Sequence, residues 1–455
     1  MNKVWSSLVF IFILFSGLNV FANNEIHIIP EPVKMNVRSG QYVLPSNFKI
    51  ELNSGIPEIK FIATELGSKI SKATGYTYTV VENATSKNNI RLYLNKTHDK
   101  EIGEEGYSLS VDEKGVLIKA NKSVGLFYGT KTLLQLLPTE IESNILVKRD
   151  SWAMPAVEIT DYPRFEWRGM LFDVSRHFYT KEEVMDFIDN MVKYKYNRFH
   201  FHLTDDQGWR IEIKSLPKLT KVGAWRAPRV GRWSEFSKPS PDEPKTYGGF
   251  YTHDDIREII QYAKARFVSV MPEIDVPGHS LAAVASYPQL SCTPGTYQVN
   301  SGDKFIDWRG GGEFTALIDN TLCPANEFVY EFLDKVFTEV AALFPFEYIH
   351  IGGDEAYKGY WGKNEEVKKL MKREKLKDLD EVQSYFIKRV QKIVNSKGKK
   401  MMGWDEILDG GLAPGATVMS WRGLKGGIAA AKMNHQVVMT PNSYAYFDLY
   451  QGDRI

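Results

Sequence analysis

The chain has 455 residues, 43% of them hydrophobic and 25% charged, which is enough for two or three domains and a large core and excludes a disordered chain. Its 57 basic and 56 acidic residues leave a net charge of +1, so no long-range field gathers nucleic acid or an anionic membrane surface. The aromatic share of 13% supplies flat apolar faces with polar edges, on which sugar rings stack well, although such residues more often pack cores.

In chain order, Lys3, the apolar run from Leu8 to Leu18 and the small residue Ala22 have the layout of a secretory signal peptide over residues 1–22, cleaved near Ala22. The run is short for a membrane span, and no cysteine near the cleavage point offers a lipid anchor. A secreted or periplasmic location is therefore expected. Residues 23–158 read as a small α+β domain of short, Gly-, Pro- and Asn-punctuated strands, with helices over Ile56–Ala73 and Ser123–Leu137. Tyr107–Val111 and Gly115–Lys119 read as a hairpin about Asp112-Glu113-Lys114. Residues 159–455 alternate strands with amphipathic helices over Lys181–Tyr194, Asp254–Arg266, Asn326–Leu343 and Leu379–Asn395. Such alternation predicts parallel βαβ units and an α/β chain, a (β/α)8 barrel of the TIM type. Seven strands are readable, so the barrel is expected to be C-terminally incomplete, one strand short. The irregular stretch Ser215–Tyr251 is expected at the barrel mouth. The two cysteines, Cys292 and Cys323, are expected to pair in an oxidising compartment.

Four strand-like segments end in polar clusters, where a parallel barrel collects catalytic groups. Arg168–His177 runs into Arg176, Phe199–Asp206 into paired aspartates, Val268–His279 into Asp275 and His279, and Tyr348–Glu355 into Asp354-Glu355. The last is the most informative. Gly352 and Gly353 permit close backbone approach before two carboxylates, and two carboxylates in one site cannot both ionise easily, so one is pushed toward the neutral acid.

These segments resemble the family 20 glycoside hydrolases, the β-N-acetylhexosaminidases, across nearly all of the chain after the leader. The resemblance rests on Asp-Val-Ser-Arg-His with Arg176, His202–Arg210, Pro-Glu-Ile-Asp-Val-Pro-Gly-His ending at His279, and Gly-Gly-Asp-Glu ending at Glu355. Trp404, Trp421 and Tyr446-Phe447-Asp448 extend it. It implies that Glu355 is the general acid and base, while Asp354 orients the substrate's 2-acetamido group. That group is then the nucleophile and forms an oxazolinium intermediate, an exception to the two-carboxylate scheme. The sequence makes this reasonable. Ordinary glycosidases hold two carboxyl groups about 5 to 9.5 Å apart on either side of the bond, whereas neighbouring residues, with Cα atoms about 3.8 Å apart, approach from one wall. The resemblance further implies that Arg176, Trp404, Trp421, Tyr446 and Asp448 bind substrate and that Asp205, Asp275 and His279 stand behind Glu355. Terminal N-acetylglucosamine or N-acetylgalactosamine glycans are the implied partners, with no cofactor, no metal, no nucleic acid and no membrane anchor after leader removal. Family barrels also supply an eighth strand with a further tryptophan and an acidic residue, none of which is readable before Ile455, so the expectation is either a truncated sequence or a barrel with an open seam.

Two rival readings stand beside this one. A metal-dependent barrel hydrolase would use His200 and His202 on one strand face with His279 and Asp354. A non-catalytic carbohydrate-binding protein would need the pocket but not Glu355.

Overall fold

A computed structural model of the chain describes residues 26–83, 89–230, 236–310 and 313–448. The leader expected over 1–22 lies outside the described residues. The N-terminal part is a seven-stranded mixed sheet in which Tyr107–Asp112 and Gly115–Ala120 form the expected antiparallel hairpin. Helices Pro57–Thr74 and Ser123–Leu136 supply buried faces. The last strand of this sheet, Ala153–Asp161, pairs with Lys34–Val43 and Tyr107–Asp112 as far as Asp161. The expected boundary at 158/159 therefore falls inside a strand of the N-terminal sheet, and the join lies beyond Asp161. Period-two alternation does not stop at a domain edge, so the boundary had no local signal.

The C-terminal part holds a seven-stranded parallel sheet that supplies the seven strands read from the sequence. In spatial order these are Gly169–Asp173, Arg198–His202, Ser269–Glu273, Tyr348–His350, Lys400–Trp404, Thr417–Ser420 and Val437–Met439. The five inner strands are almost wholly buried and the two edge strands are not, as expected for a parallel sheet covered on both faces. Helix starts follow capping chemistry. Thr180 with Glu183 and Thr252 with Asp255 form capping boxes, and Asn326 and Asp378 accept from the first turns of Glu327–Leu343 and Leu379–Ser396.

Register decides what the barrel end carries. Asp173 pairs with His202, His202 with Glu273, and Glu273 with His350, so four polar residues of neighbouring strands stand in one row. Side chains alternate faces along a strand, so residues two apart in this row's strands also point the same way. Among the described residues no helix is long and apolar enough to cross a membrane.

Candidate active site

Immediately above the row, chain turns bring the predicted residues together. Gly352 and Gly353 have φ of 66° and 94°, and a Cβ on Gly352 would lie 1.7 Å from Asp275 Oδ1. Only glycine lets this strand end pass so close to the Asp275 loop. Glu355 and His279 occupy the left-handed region at φ 45° and 49°, a conformation that non-glycine residues hold at functional turns only when their surroundings over-determine it.

The two acids meet at one imidazole. His279 Nε2 lies 3.5 Å from Asp354 Oδ2 and 3.4 Å from Glu355 Oε2, and its Nδ1 lies 3.1 Å from Asp205 Oδ1. Asp205, whose side chain is fully buried, also takes Arg176 at 2.7 Å and lies 3.0 Å from His202 Nε2. The Arg176 guanidinium forks between Asp205 and Asp173, the latter at 2.9 Å, and the side chain as a whole retains 38% exposure. The sequence-predicted Arg176, Asp205, His279, Asp354 and Glu355 thus form one connected chain.

Charge follows from this packing. Burial opposes ionisation of Asp205, but Arg176 and His279 overcome it and hold the carboxyl well below its usual range. Burial likewise works against the His279 imidazolium, and Asp205, Asp354 and Asp275 raise its pKa well above the ordinary value. Asp275 is pushed well up by burial and by Asp354, and its Oδ1 has no hydrogen-bond partner. Burial also raises Asp354, against the pull of His279, and Glu273 and Glu355 add to the rise. Asp354 Oδ1 is buried without a partner as well. Such an orphaned acceptor needs a donor to be satisfied.

The remaining predicted residues separate. Trp421 is half-buried and stacks on Tyr446 with centroids 6.3 Å apart and planes at 19°. Asp448 is exposed beside Tyr446, whose hydroxyl is raised by burial and by the charge of Asp354. Trp404 is 7% exposed, with its indole N–H given to Glu273 at 3.0 Å and its ring against His200 and His350. It forms the barrel floor under the site. The disulfide joins Cys292 to Cys323 as expected, and the pair lies in a buried cluster with Trp361, Val367 and Val382 against which Ala356, next to Glu355, packs.

Residues 165–455 match the model described as the glycosyl hydrolase family 20 catalytic domain, and residues 25–162 match that described as glycosyl hydrolase family 20, domain 2. The chain belongs to glycosyl hydrolase family 20. It is 43% identical over 429 residues to the beta-hexosaminidase of Porphyromonas gingivalis, covering 94% of this chain and 52% of that one. A beta-hexosaminidase of Vibrio furnissii is 36% identical, with 93% of this chain and 64% of that protein covered. The chain thus spans between about half and two-thirds of these relatives' length. Among solved structures, the GH20 beta-N-acetylhexosaminidase of Streptomyces coelicolor A3(2) superposes with a TM-score of 0.77 at 33% identity, covering 93% of this chain and 76% of that one. The GH20 exo beta-N-acetylglucosaminidase of Vibrio harveyi, solved with N-acetylglucosamine, gives 0.77 at 32% identity, covering 93% and 62%.

Within this family 20 chain, several groups were not singled out in the sequence. Glu273 lies at the barrel centre with His202 Nδ1 and His200 Nε2 each at 2.7 Å, Trp404 Nε1 at 3.0 Å and His350 Nδ1 at 3.1 Å. Burial would raise it, but the imidazoles hold it well below the usual carboxylate range. The metal set imagined from His200, His202, His279 and Asp354 is not assembled. His200 groups with Glu273 and His350, His202 with Asp205 and Asp275, and His279 with Asp275 and Asp354. Glu406 accepts the Trp421 indole N–H at 2.9 Å and is pushed up to about 8 by burial and by Asp354. The irregular Ser215–Tyr251 stretch contributes Arg226, which donates to the Arg176 carbonyl at 2.8 Å. Buried Arg210 donates to the carbonyls of Val174, Ser175 and Ala224, fixing the turn that presents Arg176.

Proposed function

We propose that the chain is a β-N-acetylhexosaminidase that removes terminal non-reducing N-acetyl-D-hexosamine residues from β-linked glycans, with retention, through an oxazolinium intermediate. The observation that carries this is that Asp354 and Glu355 reach the same His279 nitrogen, at 3.5 and 3.4 Å. Carboxylates sharing one imidazole stand on one wall, so they are poorly placed to supply an acid on one face of a sugar and a nucleophile on the other. The acetamido oxygen of the substrate fills that vacancy. Oriented intramolecular attack reaches effective molarities on the order of 10⁵ M or more, so holding the acetamide is the larger part of the protein's task.

In this reading the unpartnered Asp354 Oδ1 accepts the acetamide N–H and stabilises the positive charge that develops there. Glu355 protonates the leaving oxygen and then takes a proton from the incoming water. His279, fixed by Asp205, supports both acids, and Arg176 holds sugar hydroxyls with donors fixed by Asp173 and Asp205. Trp421 and Tyr446 wall the acetamide, with Trp404 beneath, and Asp448 accepts from a distal hydroxyl. Both gluco and galacto configurations are candidate substrates. Export, with removal of the leader near Ala22, places the enzyme in a periplasm or the medium, a location supported by the leader's composition and the Cys292–Cys323 bridge.

The test is release of nitrophenol from a nitrophenyl N-acetyl-β-glucosaminide by the full chain, with Glu355→Gln as control. Loss of the general acid is expected to cost about 10²–10⁴-fold in kcat. Equal release by both forms would refute the assignment, and no release by either would leave a binding protein.

A further inference from the structure

One buried carboxylate has no task in the reaction described above. Glu273 is fully buried, and although burial opposes its charge, His202, His350 and His200 hold it ionised. Burying an ionised carboxylate is costly unless it is paired and hydrogen-bonded, so its partners show what it holds in place. Three of them lead outward to the site. Trp404 gives its indole N–H to Oε1 at 3.0 Å, and His202 Nδ1 lies 2.7 Å from Oε2. His350 Nδ1 lies 3.1 Å from Oε1 and takes the Gly352 N–H at 3.1 Å. Gly352 opens the turn that carries Asp354 and Glu355.

His202 bridges two carboxylates. Its Nδ1 faces Glu273, and its Nε2 lies 3.0 Å from Asp205 Oδ2. A neutral imidazole has one N–H to give and the imidazolium two, so both contacts are hydrogen bonds only in the protonated ring. Burial works against that charge, but Glu273 and Asp173 raise the His202 pKa well above its ordinary value, whereas burial lowers His200 to about 4. Arg176 Nη1, 3.2 Å from His202 Nε2, already donates to Asp173 at 2.9 Å. Asp205 in turn takes Arg176 and His279. The Trp404 floor and the arginine are thus joined by three buried side chains in series: Glu273, His202 and Asp205.

We propose that Glu273 and His202 are positioning residues that hold the Trp404 floor in register with Arg176, and that this fixed spacing sets the preference of the site for an acetyl over a longer acyl group on the sugar nitrogen. This rests on the glycosidase reading above, in which Trp404 lies beneath the acetamide, and adds what sets its acyl selectivity. Arg176 fixes the sugar ring and Trp404 bounds the acyl group, so the room left for the acyl chain depends on how the two are held relative to each other. Trp404 otherwise sits in an apolar cluster with Met271, Met402 and Met419. Thioether contacts adapt to many ring angles, so the directional bond to Glu273 is what fixes the indole.

The test compares kcat/KM of the full chain on nitrophenyl N-acetyl- and N-propionyl-β-glucosaminides, for the parent, Glu273→Gln and His202→Gln. One methylene in a shaped pocket is worth about 10- to 200-fold, so the parent should favour the acetyl substrate on that order. Glutamine has one acceptor oxygen and cannot meet both the Trp404 and the His202 donors, while His202→Gln removes the cation that Glu273 and Asp205 share. The acetyl-to-propionyl ratio is expected to fall about three- to tenfold in each variant. Partial unfolding lowers both rates alike and leaves the ratio unmoved, and either variant carries the test if the other fails to fold. An unchanged ratio overturns the proposal while leaving the glycosidase reading standing. Calorimetric affinities for N-acetyl- and N-propionylglucosamine give the same ratio without turnover. A fall there in a chain that hydrolyses neither substrate supports the positioning role and ends the glycosidase reading, whereas an unchanged affinity ratio overturns the proposal.

Discussion

Replacing Asp354 by Asn removes one charge with almost no change of shape. Asp354 has a side chain only 15% exposed, one oxygen without a partner and the other 3.5 Å from His279 Nε2. A unit charge pair at 4 Å contributes about 4 kcal/mol at an effective dielectric of 20. The acetamide nitrogen gains only part of a charge in the transition state, so about half to three-quarters of that, ~2–3 kcal/mol, is the expected loss. This corresponds to a fall in kcat of roughly 30- to 150-fold, with KM changed by less than about threefold, because the interaction strengthens mainly in the transition state. The assay is initial rates on the nitrophenyl N-acetyl-β-glucosaminide near neutral pH, with the thermal midpoint as a check on folding. A large rise in KM at unchanged kcat would refute the reasoning, since it would assign Asp354 to ground-state binding.

Arg176→Lys keeps the charge but loses the fork that meets Asp173 and Asp205. A loss of about tenfold to a hundredfold in kcat/KM is expected, and a rate within twofold of the parent would deny Arg176 its place in the pocket. For stability, His202 and His279 have folded pKa values raised by neighbouring carboxylates, after burial has worked against them. Their contribution is full below the unfolded histidine value of about 6.5 and is lost as pH rises through the folded values. Glu406, held neutral up to about 8 by burial and Asp354, adds a loss over the same range. His200, lowered by burial to about 4, acts in the opposite sense, but only below about 6.5. The unfolding midpoint should therefore fall between about pH 6.5 and about pH 8, followed by circular dichroism, and a rising midpoint would contradict the charge assignment.

Much of the site was legible because its chemistry sits at the ends of apolar runs. Arg176, Asp205, His279, Asp354 and Glu355 each follow a strand-like segment, and a parallel sheet brings such ends together whatever the order of the chain. Partners across strands were less legible, because register is a long-range property. Glu273 is the clearest case: in sequence it is one carboxylate within a strand, and only its pairing with His202 and His350 reveals the buried centre. His200 and His202 were correctly placed on one face by their spacing, but spacing alone could not distinguish a metal from a carboxylate as their common neighbour. Trp404 and Trp421 look alike in sequence, yet Glu273 draws one into the floor while Glu406 holds the other at the wall. Arg210 and Arg226 act through backbone carbonyls of a distant turn, which leaves no local pattern.

The most direct measurement is the ratio of kcat/KM for matched nitrophenyl β-N-acetylglucosaminide and β-glucoside, which differ only in the 2-acetamido group. If the sugar carries its own nucleophile, the glucoside should react slower by several orders of magnitude, and a thiazoline mimic of the cyclised acetamide should inhibit strongly. Comparable rates on the two substrates, with no inhibition by the thiazoline, would contradict the account.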